Sequence, residues 1–480
     1  MRVQFIHLTM TTEAGSEIWD VTNPPQYKDL STAELEYQEI KEAHNDVSTL
    51  SKYQLMTTDK ESWYLPSTLM LDIRFKLYKT GTTKFLATEI ASLCSDAFSL
   101  FNSLELRFNN NQIASVDRPG HLHFAKSLVE YSKNYADSVA SNQWFYLDTV
   151  SDGVNDEINT PKALATSAVN VGSPIVPFVY TVDGADDVAS IINNPNYNEG
   201  MRARVRRNGE ELQVMLPLRE IFPILDQMDR AIRGTRIEVV GHKFKDEEQV
   251  MFGDKVVLTT ASSVSINSIS MWLARVKPSL AIQATVEQAL VSNKKVNYTY
   301  SHCEMYLKEN FSNVGGSQRY RVTTELAQPT HAIVFFQLSS RSTTLGLNPL
   351  QFDRVNIDSI HMRLNGKQYP EEEYSALMTL GGSHTGRVVH DIFRLGSKHG
   401  AVDGGSLIDV KQWQDVHPFY VFDLSAQEPS ALKNATVKDI EVRWTHSATP
   451  AAMYDVGVVM FSDREISIDY KAGAMHFTRR

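Results

Sequence analysis

The sequence predicts an all-β protein built from two copies of one β domain. Three observations carry that expectation. Short runs of alternating apolar residues recur along most of the chain, and turn residues separate them. One hairpin phrase also occurs twice, as "FNSLELRFNNNQI" (101–113) and "IDSIHMRLNGKQY" (357–369).

The clearest run is Ser67 to Gly81. It places Leu69, Leu71, Ile73, Phe75 and Leu77 on one face and Asp72, Arg74 and Lys76 on the other. Similar runs follow at "IEVVGHKF" (237–244), "KVVLTT" (255–260), "HAIVFFQL" (331–338), "FYVFDL" (419–424), "KDIEVRW" (438–444) and "YDVGVVMF" (454–461). Many short strands with irregular connections favour sandwiches or barrels over a parallel α/β fold.

Helical spacing is confined to a few places. Phe124, Leu128, Tyr131 and Tyr135 predict a helix within 121–138. A second helix near 219–225 is short or kinked by Pro223. Residues 31–45, with an N-cap at Ser31 or Thr32 and acidic residues after it, predict a short amphipathic helix in an arm outside the main fold. Gly-rich stretches at 379–386 and 395–405 predict long loops, and neither has the Gly-Lys-Ser/Thr ending of a phosphate-binding loop.

The repeated phrase aligns at one offset, 363 − 107 = 256. Leu104, Leu106 and Phe108 then meet Ile360, Met362 and Leu364, while Arg107 meets Arg363 on the polar face. Asn109-Asn110 and Asn365-Gly366 fall at the turns, where residues that accept positive φ are needed. A strand beginning at Pro66 precedes the first hairpin and one beginning at Pro329 precedes the second. A Trp-bearing strand lies near the far end of each half, "INSISMWL" (266–273) and "VKDIEVRW" (437–444). Similar pieces in the same order are expected of a duplicated domain with different loop insertions.

Composition narrows the function. The formal net charge of −10 argues against a protein that coats nucleic acid, although "RARVRR" (202–207) is a local basic run. No run reaches the roughly 18 apolar residues of a membrane span. The N-terminus has no apolar signal-peptide core. Cys94 and Cys303 are too few for a disulfide framework.

The blocks "WYLPSTLMLDIRFKLY", "LFNSLELRFNNNQIASVDRPGHLHFAKSLVEYS", "MLPLREIFPILDQMDRAIRGTRIEVV" and "PTHAIVFFQLSSRSTTLGLNPLQFDRVNIDSIHMRLNGKQYP", in that order, resemble the double jelly-roll major capsid proteins of tailless double-stranded DNA viruses, in the polinton-like virus, adintovirus and virophage branch. The resemblance spans roughly residues 60–470. It implies two tandem jelly-roll β-sandwiches with a few short helices and long loops. It also implies a homotrimer of pseudo-hexagonal outline that tiles an icosahedral shell. The implied partners are copies of itself in neighbouring capsomers, penton and minor capsid proteins, and an inner membrane, without sequence-specific nucleic acid binding.

The expected division is an arm with a short helix at 1–59, a first jelly roll at 60–295, and a second jelly roll with the C-terminal tail at 296–480. The site residues are structural: Arg107, Asn109 and Asn110 in one hairpin, Arg363, Asn365 and Gly366 in the other. No catalytic, cofactor or metal residue is expected. His121-x-His123 offers two ligands where a structural zinc site needs about four. Glu371–Glu373 invites comparison with the paired carboxylates of glycosidases, but such a run more often forms a solvated cluster. A β-sandwich carbohydrate-binding protein or glycoside hydrolase is therefore the rival class.

Overall fold

The computed structural model describes residues 32–44, 46–85, 91–148, 211–253, 257–291, 295–323, 329–375, 377, 384–399, 407–425, 439–471 and 474–479. The basic run at 202–207 and most of the Gly-rich stretches at 379–386 and 395–405 lie outside them.

Sixteen strands make the two main bodies. The first holds β1 (Thr32–Lys41), β2 (Lys52–Met56), β3 (Trp63–Thr80), β4 (Phe101–Phe108), β5 (Asn111–Asp117), β6 (Leu212–Pro217), β7 (Ile237–Lys243) and β8 (Ser263–Pro278). The second holds β9 (Lys295–Phe311), β10 (Ser317–Thr323), β11 (Pro329–Leu338), β12 (Ile357–Leu364), β13 (Lys367–Tyr374), β14 (Phe419–Asp423), β15 (Ile440–His446) and β16 (Tyr454–Lys471). Short strands at Thr83–Lys84, Ala91–Leu93, Met251–Gly253 and Ala474–Arg479 flank them.

The first body has sheets ordered β1-β8-β3-β6 and β2-β7-β4-β5. The second has β9-β16-β11-β14 and β10-β15-β12-β13. Adding eight to each label of the first body gives the second. The pairings are antiparallel, and this strand order in two packed sheets is the jelly roll. Among the described residues, no strand of 32–278 pairs with a strand of 295–479.

Period-two patterning builds each core. Leu71, Ile73 and Phe75 of β3 face inward together with Leu104, Leu106 and Phe108 of β4, all fully buried. In the second roll, Phe336 packs edge-on against Trp444 at 5.3 Å, joining the two sheets.

Several expectations need correction. Residues 32–41 form no helix but the strand β1, which pairs with β8 from Thr32↔Pro278 to Lys41↔Ser270. The segment is part of the first roll and supplies its edge. It also alternates, with Leu35, Tyr37 and Glu39 on one side and Ile40 turned to the core, and pairing satisfies the free edge of β8. The helix read over 121–138 is two, α1 (Pro119–Glu130) and α2 (Lys133–Ser138). The break falls at Tyr131 and Ser132, where the Ser132 hydroxyl caps Tyr135 N–H at 3.1 Å. The described part of "KVVLTT", 257–260, is turn and irregular chain, not strand.

Around Pro223 only a short α3 (Ile224–Gln227) forms. The run 280–291, not singled out in the sequence, is α4 (Leu280–Val291) between the rolls, and it is rich in good helix formers. Residues 395–399, read as loop, close α5 (Gly386–His399), and α6 (Val410–Asp415) follows.

Gly457 of β16 tests how tightly the second roll's outer sheet is packed. A Cβ there would lie 2.2 Å from Phe335 Cζ, and Phe335 is fully buried. Gly457→Ala is expected to destabilise the protein by about 2 kcal/mol or more, the scale of core overpacking, as measured by urea unfolding.

Candidate assembly site

The two hairpins hold the same place in their sheets. In β4–β7 the register runs Phe108↔Ile237, Arg107↔Glu238 and Leu106↔Val239. In β12–β15 it runs Leu364↔Ile440, Arg363↔Glu441 and Met362↔Val442. The tripeptide Ile-Glu-Val thus meets the hairpin twice, although the sequence comparison had matched "VKDIEVRW" with "INSISMWL". That match is wrong in position. "INSISMWL" lies in β8, whose counterpart is β16, and the counterpart of β15 is β7. The short repeat "IEV" was the available signal.

The turns explain their asparagines. Asn109 and Asn110 have φ of 50° and 67°, and Asn365 and Gly366 have 50° and 84°. Each first asparagine also clamps the neighbouring strand. Asn109 N–H donates to Arg236 O at 2.9 Å, and its Oδ1 accepts from Arg236 N–H at 2.8 Å. Asn365 makes the same pair of bonds with Asp439, at 2.9 and 3.1 Å. The side chain thereby extends the ladder by one rung past the end of the hairpin strand.

The arginines do not match in their bonding. Arg107 Nε donates to Glu105 at 2.9 Å. The residue in the place of Glu105 is His361, and Glu441 is taken by Arg443 at 2.8 Å, so the buried Arg363 Nε has no hydrogen-bond partner among the described residues.

The second feature is the seam between the rolls. It is built on α1, whose residues Pro119 to Val129 are all buried. The outer face of sheet β9-β16-β11-β14 lies against it. His121 stacks on Phe335 at 6.2 Å, Phe335 on Phe352 at 4.1 Å, and Phe352 meets Phe124 edge-on at 5.7 Å. Phe124 in turn meets His417 at 5.3 Å.

Polar ties cross the same seam. Asn348 Nδ2 donates to Ser95 Oγ at 3.0 Å and Asp148 Oδ2 at 2.5 Å. Arg118 pairs with Glu309 at 2.7 Å, and the Cys303 thiol donates to Ile221 O at 3.6 Å. Helix α5 packs on α1 so closely that a Cβ at Gly396 would sit 2.6 Å from Val129 O.

Burial sets the charges here. It pushes His121 and His417 down to about 4, so both are neutral near pH 7. Burial also pulls Lys126 down, but Glu130, Cys303 and Glu220 more than offset it and hold Lys126 above the usual lysine value. Lys126 Nζ donates to Glu220 O at 2.9 Å. Burial raises the Cys303 thiol to about 11, so it is an inert packing group.

Among the described residues, the groups that the sequence offered for other chemistries are held in structural contacts. His121 and His123 turn to different partners: His121 to Phe335, His123 Nδ1 to Asp96 and Nε2 to Tyr131 at 3.0 Å. No cluster of three or more metal-ligating side chains occurs among the described residues. Asp96, His123 and Ser127 line up as acid, base and hydroxyl, with Ser127 Oγ 3.4 Å from Nε2. All three are almost fully buried and Tyr131 sits closer to the ring nitrogen, so the group cannot meet a substrate. Of the run 371–373 on β13, Glu373 accepts from His361 at 2.8 Å and Glu372 pairs with Arg387 at 3.8 Å, as a solvated cluster does. No helix of the described residues is long and apolar enough to cross a membrane.

A family model of the double jelly roll-like domain matches residues 152–466, well over half of the chain. The chain belongs to the double jelly roll-like family. Its fold is similar to a chain in the cryo-EM structure of the Sputnik virophage, with a TM-score of 0.55 and 12% identity over 96% of this chain and 91% of that one. It is also similar to the mavirus major capsid protein, with a TM-score of 0.50 and 10% identity over 98% and 95% of the two chains. The Faustovirus major capsid protein gives 0.50 and 9% over 93% and 92%. At such identities the likeness speaks for the fold alone. No curated protein matches this double jelly roll-like chain in sequence.

Two measurements test the clamp and the seam. Asn109→Gly keeps the positive φ but orphans Arg236 N–H, and Asn109→Ala loses both. Unfolding should show costs of about 1 and about 2 kcal/mol respectively, with the same order at Asn365. For the seam, a buried neutral histidine favours the folded state fully above its unfolded value near 6.5, and this is lost as pH falls towards 4. Between pH 7 and 4 the wild type should lose about 3 kcal/mol more than His417→Phe, read from urea unfolding at each pH.

Proposed function

We propose that the chain is a viral major capsid protein that forms homotrimers of pseudo-hexagonal outline and tiles an icosahedral shell. One observation carries this reading: two jelly rolls of identical strand order sit in one chain, joined by a seam that buries α1 from Pro119 to Val129. Two equivalent rolls per chain make three chains equivalent to six rolls, which suits a hexagonal tile. The likeness in fold to capsid proteins of mavirus and Faustovirus supports it.

The rolls are read as copies of one ancestral domain, the first starting at Thr32 and the second at Lys295, in place of boundaries at 60 and 296. The proposed partners are further copies of the chain, penton and minor capsid proteins, and an inner membrane. The proposed place of action is the virion shell, assembled within the host cell. The role is structural, with no reaction catalysed and no nucleic acid sequence read.

Sedimentation of the purified protein should give a species of three times 54.1 kDa, and electron micrographs should show hexagonal outlines or closed shells. A protein that stays monomeric at high concentration would overturn the proposal.

A further inference from the structure

Two titratable groups stand in the layer between the rolls, outside either sandwich core. His121 is on α1 of the first roll and His417 lies between α6 and β14 of the second, and both are buried. They end the aromatic chain that crosses the seam, His121 on Phe335 and His417 on Phe124.

Neither site is built for a proton. His121 faces Gln337, Pro349 O and the cation Arg118, which is itself paired with Glu309 at 2.7 Å and acted on by Asp455. Around His417 stand Asp148, Arg341 and Asp353. Arg341 holds Asp353 through bonds of 2.7 and 2.8 Å, and Asn348 holds Asp148 at 2.5 Å. The ring nitrogens of His417 make no hydrogen bond among the described residues. A proton there would leave a buried cation, or draw Asp148 away from Asn348, which is a tie of the seam.

Other buried imidazoles differ. His123, His302 and His446 each lie within one roll and already hold an acceptor: Asp96 for the first, Glu304 at 3.1 Å for the second, Val355 O at 2.9 Å for the third. The seam can also part without breaking a ladder, since among the described residues no strand of one roll pairs with a strand of the other.

We propose that the seam is an acid-sensitive latch: protonation of His121 and His417 loosens the contact between the rolls while each roll keeps its fold. Local opening of this kind precedes global unfolding. The neutral imidazoles favour the closed seam fully above the exposed value near 6.5, and this is lost as pH falls towards 4, where burial holds both groups. From pH 7 to pH 5 each imidazole shifts the balance towards the open seam by about 20-fold, and the two together by about 400-fold.

The chain carries its own reporters. Its two cysteines are both fully buried, Cys303 in the seam against Ile221 O and Cys94 inside the first roll beside Ser99 Oγ. Labelling of the full-length protein with a dithiodipyridine, a disulfide that stays reactive in acid, is followed at each thiol by peptide mass. Rates are normalised to a free small thiol at the same pH. Cys303 should react several hundredfold faster at pH 5 than at pH 7, with Cys94 far behind. His121→Phe and His417→Phe keep the ring without the proton. Each should remove about 20-fold of the acceleration, and the double variant all of it. No acceleration in the wild type overturns the latch, and so does acceleration that survives in the double variant. Cys94 reacting as fast as Cys303 at pH 5 overturns it too, because the rolls then unfold with the seam. Should a phenylalanine variant fail to fold at pH 7, hydrogen exchange of the wild type decides. Corrected for intrinsic rate, the amides of α1 should lose more protection between pH 7 and 5 than those of β4 and β7, and an equal loss would overturn the latch.

Discussion

The burial of α1 is the constraint on which the rest depends. A helix at the surface of a single jelly roll would bury one stripe and show the other to water. Here the stretch from Pro119 to Val129 has no exposed side, because the first roll closes on it from below and the outer sheet of the second from beside. The side chains that a surface helix would turn to solvent therefore have to be satisfied inside. His121 stacks on Phe335, His123 bonds to Asp96 and Tyr131, and Lys126 bonds to Glu220 O with Glu130 nearby. Of these partners Phe335 belongs to the second roll, so the His121 stack ties the rolls to each other, while the bonds of His123 and Lys126 hold α1 in the first.

That demand explains why the seam mixes aromatic stacking with charge. Removing Lys126 from water is costly, and the neighbouring carboxylates and the Glu220 carbonyl return much of that cost. The aromatic chain from His121 through Phe335, Phe352 and Phe124 to His417 supplies apolar area and accommodates two imidazoles only in their neutral form. The polar ties give the seam direction, since one side chain of the second roll, Asn348, bonds both Ser95 and Asp148 of the first.

What could be read in the sequence was local. Alternation in β3, the continuous apolar runs of β11 and β16 and the paired hairpin turns depend on neighbours along the chain, and all are legible. β1 was not, because its alternation is weak: an edge strand with Glu34, Glu36 and Glu39 satisfies helix-start chemistry as well as strand chemistry, and only its pairing with β8 decides. The wrong Trp match had a similar cause. Trp272 and Trp444 both stand in apolar strands, but strand order is a non-local property that composition does not report. The seam was invisible because it joins Phe124 to Phe352 and Ser95 to Asn348, positions with no spacing rule between them.

The comparison of the two hairpins shows which chemistry a duplicated fold must keep. The turn asparagine serves two requirements at once, a positive φ and an acceptor for the strand beside it, and it stands in both rolls. The Ile-Glu-Val tripeptide supplies inward apolar residues at the paired positions, and it too stands in both. Arg107 and Arg363 are alike in type but not in bonding, because His361 stands in the second roll where Glu105 stands in the first, and it bonds Glu373 instead. Register is shared by every residue of a sheet, so a slip would turn each side chain to the wrong face. An outward arginine serves only its own neighbours, and its partners are free to differ between rolls that face different surroundings.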